Sequence, residues 1–295
     1  MAEILVIIVT YNGRRWTDRC LGSLRASEVP VDVVVIDNGS SDGSVEYIRS
    51  TFPEVKVICT GENLGFGQAN NIGFRMALED GYGYVYLLNQ DAWIEPDTIR
   101  KLKDAWQSGF GILSPIQRDA DGNPDANFWK KCGTFVEKAA GRTIVEVPFV
   151  MAAHWLINRD TLIKVGGFSP VFHQYGEDDN YIDRLHYHGL KAGVVCSASA
   201  VHDRGERSQS GESRISLKCI GVKVRLSNPS HCFALRSILS PLELLGMGVK
   251  NISLIPVRYI PELVSHYGEI SEYRKSSRQA GAFLITSSAG SMPEL

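Results

Sequence analysis

A chain of 295 residues, 44% hydrophobic and 22% charged, holds enough apolar material for a sizeable core, which excludes a disordered, collagen-like or single small-module protein. Its formal net charge of -2 excludes the basic balance of a dedicated nucleic-acid binder, so no nucleic-acid partner is expected. That average hides a body of net -6 over residues 1–201 and a basic tail of net +4 over 202–295, which predicts two surfaces with different partners.

Residues 4–9 form a continuous apolar run, the pattern of a strand buried on both faces. A helix follows over 14–26, a second such strand over 31–36, and a helix over about 41–50. Strand 55–59, helix 66–79, strand 84–88 and helix 96–107 repeat the rhythm. Alternating β and α segments predict a doubly wound parallel sheet with right-handed crossovers. The rhythm breaks after 111–115. Residues 118–147 read as hairpins, with a turn at Asp121-Gly122-Asn123-Pro124. Helices are predicted at 159–165 and 178–189, and a strand at 192–196. From about 212 the chain reads as helical, divided by Pro229, Pro241, Pro256 and Pro261.

The six cysteines, at 20, 59, 132, 196, 219 and 232, form no CxxC pair and are expected as buried thiols. The first residues carry no basic segment and no cleavage signature, and no apolar run approaches the ~20 residues that span a bilayer. A cytoplasmic protein is expected.

Ligands of such sheets bind beyond the carboxyl ends of the strands. After the first strand comes Thr10-Tyr11-Asn12-Gly13, and after the second Asp37-Asn38-Gly39-Ser40-Ser41-Asp42. After the third comes Asn63-Leu64-Gly65-Phe66-Gly67-Gln68-Ala69-Asn70, and after the fourth Asn89-Gln90-Asp91. One such tip is as readily a helix N-cap as a site. Four on one edge predict a shared polar cleft.

Three rival motifs are weaker. Gly65-Phe66-Gly67-Gln68-Ala69-Asn70 lacks the third glycine of a dinucleotide fingerprint and follows the wrong strand. Gly39-Ser40-Ser41-Asp42-Gly43 satisfies GxSxG, with Asp178 and His202 following in hydrolase order. However, Asp37 and Asn38 separate the serine from its strand. Asp119, Asp121, Asn123 and Asp125 imitate a calcium loop, but Pro124 and Lys130 stand where glycine and glutamate belong, so a turn is expected.

The ordered set of Val9-Thr10-Tyr11-Asn12, the 37–42 and 63–73 segments, and Leu87-Leu88-Asn89-Gln90-Asp91 resembles the family 2 inverting glycosyltransferases, particularly the rhamnosyltransferase-like branch. Gly166-Gly167-Phe168, Gly176-Glu177-Asp178-Asp179 and His202 match the later motifs of that family. The resemblance implies an α/β GT-A fold with a Rossmann-like, mostly parallel sheet. It implies a catalytic domain over 1–211, with a nucleotide-sugar-binding half (1–115) and an acceptor-binding half (116–211), then a helical extension over 212–295. The implied reaction moves a sugar from a nucleoside diphosphate, dTDP-rhamnose or a UDP-sugar, to an acceptor hydroxyl with inversion. Cell-surface polysaccharide or glycolipid synthesis is its expected setting, with a saccharide or lipid-linked saccharide as acceptor.

By the same resemblance, Asp178 is the catalytic base. Asp91 and His202 hold a divalent metal, Mn2+ or Mg2+. The first acid of the family's metal motif is Asn89 here, so the motif is one charge short, which leaves a non-catalytic nucleotide-sugar-binding protein as the alternative. Thr10, Tyr11, Asn12, Asp37, Asn63, Gly67, Asn70, Asn89 and Gln90 are assigned to the nucleotide sugar. Trp155, with His154 beside it, and Glu177 are assigned to the acceptor side, with core packing as the other reading of Trp155. Residues 213–242 contain no acid but hold Arg214, Lys218, Lys223, Arg225 and Arg236 among apolar residues. They read either as a helix packed on the body or on a second subunit, or as a peripheral contact with the inner face of the plasma membrane.

Overall fold

The structure is a computed structural model that describes residues 2–204 and 210–284; residues 285–295 of the expected extension lie outside it. Nine strands form one sheet: β1 (Ile4–Thr10), β2 (Asp32–Asp37), β3 (Lys56–Cys59), β4 (Tyr84–Asn89), β5 (Ala92–Ile94), β6 (Phe110–Arg118), β7 (Ile144–Val147), β8 (His154–Asn158) and β9 (Lys191–His202). The order is β3-β2-β1-β4-β8-β6-β9-β5, with β7 on β9. The first four strands are parallel, and β8 runs antiparallel beside β4. Register places Thr10 opposite Asp37 and Val9 opposite Asn89, so three carboxyl ends lie side by side.

The predicted elements of the first half form, because strand alternation feeds two apolar layers. Leu5, Ile7, Val34, Ile36, Val85 and Leu87 face α3 (Gly65–Asp80), α6 (Arg159–Val165) and α7 (Glu177–Tyr187), joined by Phe74, Phe168 and Tyr181. Ile4, Val6, Ile8, Val35, Tyr86 and Leu88 face α1 (Thr17–Arg25), α2 (Ser44–Thr51) and α4 (Thr98–Asp104). Each fully buried Ile or Leu contributes about 1.5–3 kcal/mol through this transfer.

The 118–147 region departs from the expected hairpins. Asp119 Oδ1 accepts the Asp121 and Asn123 amides and closes a turn. Asp125 then caps a helix, α5 (Ala126–Glu137), by accepting the Phe128 amide at 2.6 Å. The calcium-like acids are thus a turn and an N-cap, and Phe128 and Cys132 give α5 its buried face. Strands β5 and β8 were not anticipated, being short or flanked by turns. β6 passes through Pro115 because the ladder shifts register between Pro115 and Ile116. Cys20, Cys132 and Cys219 are buried thiols, but Cys59 and Cys232 are exposed, against expectation.

The C-terminal helices are α8 (Gly211–Ser227), α9 (Phe233–Asn251), α10 (Ile255–Ser265) and α11 (Tyr267–Ser276). Their core of Cys219, Val222, Leu226, Leu244, Leu263 and Ile270 joins Val171 and Phe172 of the body. Pro229 separates α8 from α9, and Pro256 lies in the first turn of α10. Pro241 and Pro261 sit inside helices instead of dividing them. Pro241 leaves the Ser237 carbonyl without its helical donor, and the Tyr267 hydroxyl donates to that carbonyl at 2.7 Å. Tyr267→Phe is therefore expected to cost ~1 kcal/mol, read as a lower midpoint in urea denaturation.

Candidate active site

A cleft of about 520 Å³ opens where the strand ends line up, with Tyr11, Asn12, Asn38, Asn63, Gly65 and Asn89 among its walls. Two loops form its first side. Asn12 sits at φ 52°, its amide donating to Ser40 Oγ and its Oδ1 accepting the Ser41 amide. Gln90 Oε1 accepts both the Thr10 hydroxyl at 2.8 Å and the Tyr11 amide at 2.9 Å, which holds the half-exposed Tyr11 ring over the cleft. Asp37 is only 3% exposed, and its carboxylate accepts the Gly39 and Ser40 amides, so it shapes the loop. Ser41 is exposed, with Asn12 as the partner of its hydroxyl and no histidine or carboxylate bonded to it. The hydrolase reading therefore has no base.

Helix α3 forms the second side. Asn63 Oδ1 accepts the Gly65 amide at 2.9 Å. Gly65 has φ +79°, and a Cβ there would collide with the His173 carbonyl oxygen. Gly65→Ala is expected to lose ~1–3 kcal/mol from left-handed strain and that collision, measured by denaturant melting. Two expected donor contacts move inward. A Cβ on Gly67 would lie 2.8 Å from Phe168 Cβ, so this glycine permits helix–loop packing. Asn70 is 1% exposed and gives its Nδ2 to the Phe66 carbonyl. Asn71, unassigned from sequence, clamps Phe168 through both its amide and its carbonyl.

At the floor, Asp91 and His202 are both buried, with His202 Nε2 3.4 Å from Asp91 Oδ1 and 3.5 Å from Asn89 Nδ2. Asn89 Oδ1 and His202 Nδ1 are buried without a hydrogen-bond partner. The Asp203 carboxylate beside them accepts the Trp16 indole N–H at 3.2 Å. His154 lies outside the cleft. Its Nε2 faces the Val201 carbonyl and must donate, so Nδ1 accepts from the Tyr86 hydroxyl. Burial lowers the pKa of this imidazole to about 3, keeping it neutral. Trp155 is fully buried too, stacked on Phe168 at 6.1 Å with its N–H on the Val150 carbonyl. Such a ring cannot touch an acceptor; its assignment to the acceptor side is corrected to core.

A second cavity, of about 650 Å³, lies between the body and α8. Asp178, Asp179 and Asp183 of α7 face Lys131, Arg204, Arg225 and His231 across it, with Leu217, Ile220 and Val224 of α8 as an apolar wall. Tyr175 lines both cavities. It and Gly176 take consecutive left-handed conformations, φ 69° and 86°, which turn the chain into α7. Glu177 then lines the first cavity and Asp178 the second.

Acids at a helix N-terminus are ordinarily stabilised as anions. Here burial wins. It raises the Asp178 pKa, helped by the charge of Asp179 and opposed by the Ala152 and Asp179 amides. Burial, then Asp178, likewise raises Glu177, whose Oε2 is buried without a partner. Asp183 is pushed up to about 6, mainly by burial. Carboxylates held this way near neutrality are suited to proton transfer.

Comparison with known proteins places the chain. The sequence profile described as glycosyl transferase family 2 matches residues 5–166, more than half of it. An N-acetylglucosaminyl-diphospho-decaprenol L-rhamnosyltransferase of Mycobacterium tuberculosis is 30% identical over 69% of this chain and 77% of its own. A dTDP-rhamnosyl transferase, RfbF, of Shigella flexneri is 25% identical over 77% and 75%. The mannosyltransferase PcManGT of Pyrobaculum calidifontis, solved with GDP-Man and Mn2+, superposes with a TM-score of 0.58 at 17% identity, covering 91% of this chain and 74% of that one. Staphylococcus aureus TarS 1-349, solved with UDP-GlcNAc, gives 0.57 at 15% identity over 94% and 83%. These neighbours share the GT-A fold. The chain belongs to glycosyl transferase family 2.

Proposed function

We propose that this protein transfers a sugar, with inversion, from a nucleoside diphosphate in the first cavity to a hydroxyl presented in the second. The observation that carries this is the seating of consecutive acids, Glu177 and Asp178, in two cavities that share Tyr175. Asp178 takes the proton from the acceptor hydroxyl. The freed oxygen attacks the anomeric carbon from the side opposite the diphosphate, and the bond to the diphosphate oxygen breaks, inverting the carbon. The raised pKa makes Asp178 a stronger base than an exposed carboxylate.

Tyr11, Asn12, Asn63 and Gln90 hold or shape the nucleotide side, as proposed from sequence. Asp37 and Thr10 act through the loop they fix. Asp91, His202 Nδ1 or Nε2 and the partnerless Asn89 Oδ1 form an oxygen and nitrogen donor set that fits a divalent Mn2+ or Mg2+. Among the described residues no three His, Cys, Asp or Glu cluster as a complete metal site, so diphosphate oxygens and water would complete the shell. The bound ion would neutralise charge developing on the leaving diphosphate.

The branch of relatives favours dTDP-rhamnose as donor and a lipid-linked saccharide as acceptor, at the membrane surface where such lipids reside. The catalytic unit is proposed to end near residue 211. Of the cations lining the acceptor cavity, Arg204 and Arg225 are ion-paired with Asp125 and Glu243, which leaves Lys131 as the group proposed to meet a lipid diphosphate. A thermal-shift series with dTDP, UDP and GDP, each with and without Mn2+, followed by transfer to a lipid-diphosphate N-acetylglucosamine, tests the proposal. It predicts stabilisation by dTDP with Mn2+ and inverted product. No stabilisation by any of the three would sink it.

A further inference from the structure

Fifteen large apolar side chains are exposed among the described residues, and ten of them lie between Leu235 and Val264. On α9, Leu235, Ile238, Leu239, Leu242, Leu245 and Val249 recur at three- and four-residue intervals and form one stripe. The buried residues of that helix, Ser240, Leu244 and Gly248, lie on a different face. The stripe runs to a tip where Ile252 is 96% and Leu254 64% exposed. Ile252 holds φ 48°, a conformation that costs a β-branched residue ~1–2 kcal/mol. An isoleucine both strained and bare to water fits a role outside the folded core.

The basic stretch over 213–242, read either as packed on the body or a second subunit or as a membrane contact, divides between α8 and the start of α9. Helix α8 is turned inward, with Val222 and Leu226 buried, Ile220 and Val224 on the acceptor cavity, and Lys223 Nζ on the Val171 carbonyl at 2.8 Å. The outward face belongs to α9. Charge around it is net positive: from 233 to 264 the bases are Arg236, Lys250 and Arg258, and of the two acids, Glu243 is ion-paired with Arg225 of α8 and Glu262 lies on α10. No helix among the described residues is long and apolar enough to cross a membrane.

We propose that α9 and the 252–254 tip seat the protein on an anionic lipid surface, in the plane of the interface. The stripe enters the headgroup–acyl boundary, and Arg236, Lys250 and Arg258 meet lipid phosphates. A second copy is a poorer occupant. It would bring the same bases, Arg236, Lys250 and Arg258, toward one another, whereas lipid phosphates meet them with opposite charge. Membrane seating does not require the transfer reaction, so either proposal can fail alone.

The test is co-sedimentation of the full chain with vesicles of phosphatidylcholine, with or without phosphatidylglycerol. Binding is expected with phosphatidylglycerol, falling as salt rises. Leu242→Glu with Val249→Glu, both at exposed positions, is expected to weaken it about tenfold or more, leaving dTDP-induced thermal stabilisation unchanged. As an independent readout, Ile252→Trp is expected to fluoresce and be quenched by brominated acyl chains. The proposal is overturned by absence of vesicle binding at low salt, by unchanged binding of the double glutamate variant, or by an unquenched tryptophan. A dimer in light scattering that the glutamate variant converts to monomer would assign the face to a second copy instead.

Discussion

Asp178→Asn is expected to lower kcat roughly 10²–10⁴-fold while making the protein more stable above neutral pH. Asparagine keeps the shape and can still accept the Ala152 and Asp179 amides, but it cannot take a proton. Binding of nucleoside diphosphate in the other cavity is expected to stay within about twofold of wild type. The stability change follows from the direction of the pKa shift. A carboxyl whose folded pKa is raised favours folding when protonated, and that contribution is lost as pH rises through the raised value. Above it, the wild type holds an anion in a partly buried position beside Asp179, and the variant does not. The variant should melt higher by ~1–2 kcal/mol equivalent at alkaline pH, a few degrees. The difference should vanish near pH 4, where both forms are neutral. The same shift places the acid limb of the wild-type rate profile near neutrality. Since Glu177, Asp178 and Asp179 adjoin one another, that limb reports the cluster and not one residue. Loss of activity without a stability gain would mean that Asp178 is not a base with a raised pKa.

Asp91→Asn is expected to abolish the contribution of Mn2+ to nucleotide binding, with a roughly 10²–10³-fold fall in kcat/KM. Calorimetry separates this from general damage. With Mn2+ present, the variant should bind dTDP ~10–100-fold more weakly than wild type; with chelator, the two should coincide. The expected dependence is steep because Asn89 already replaces one carboxylate, leaving Asp91 as the charged group facing His202 across 3.4 Å. Equal Mn2+ dependence in both proteins would remove Asp91 from the metal site.

Much of this was legible in the sequence where one residue has one dominant environment. The runs 4–9 and 84–88 form strands because every residue in them is apolar, whichever face it meets. The polar tips gather because parallel register brings Thr10, Asp37 and Asn89 together. Helix α5 was hidden because its cap, Asp125, belongs equally to the turn before it. Trp155 misled because an aromatic beside a site motif reads the same in a pocket or in a core; only packing on Phe168 and Tyr181 separates the two. Gly67 and Asn70 are assigned to the donor by resemblance to the family's motif, whereas here they serve contacts within and against α3. The balance of charge at Asp178 could not be settled from spacing, since burial, the largest influence on it, comes from tertiary packing.

The division of the two cavities along the chain has an evolutionary consequence. The first cavity is lined entirely from residues 9–177, whereas the far wall of the second comes from 217–231. On the proposed assignment, the donor contacts all lie before residue 178, whereas the acceptor contacts are shared between 127–204 of the body and 217–231 of the tail. Recombination near residue 210 would replace one wall of the second cavity and leave the first untouched. A chimera carrying a relative's segment from 211 onward is expected to shift acceptor preference toward that relative's, provided Val171 and Phe172 still find their apolar partners.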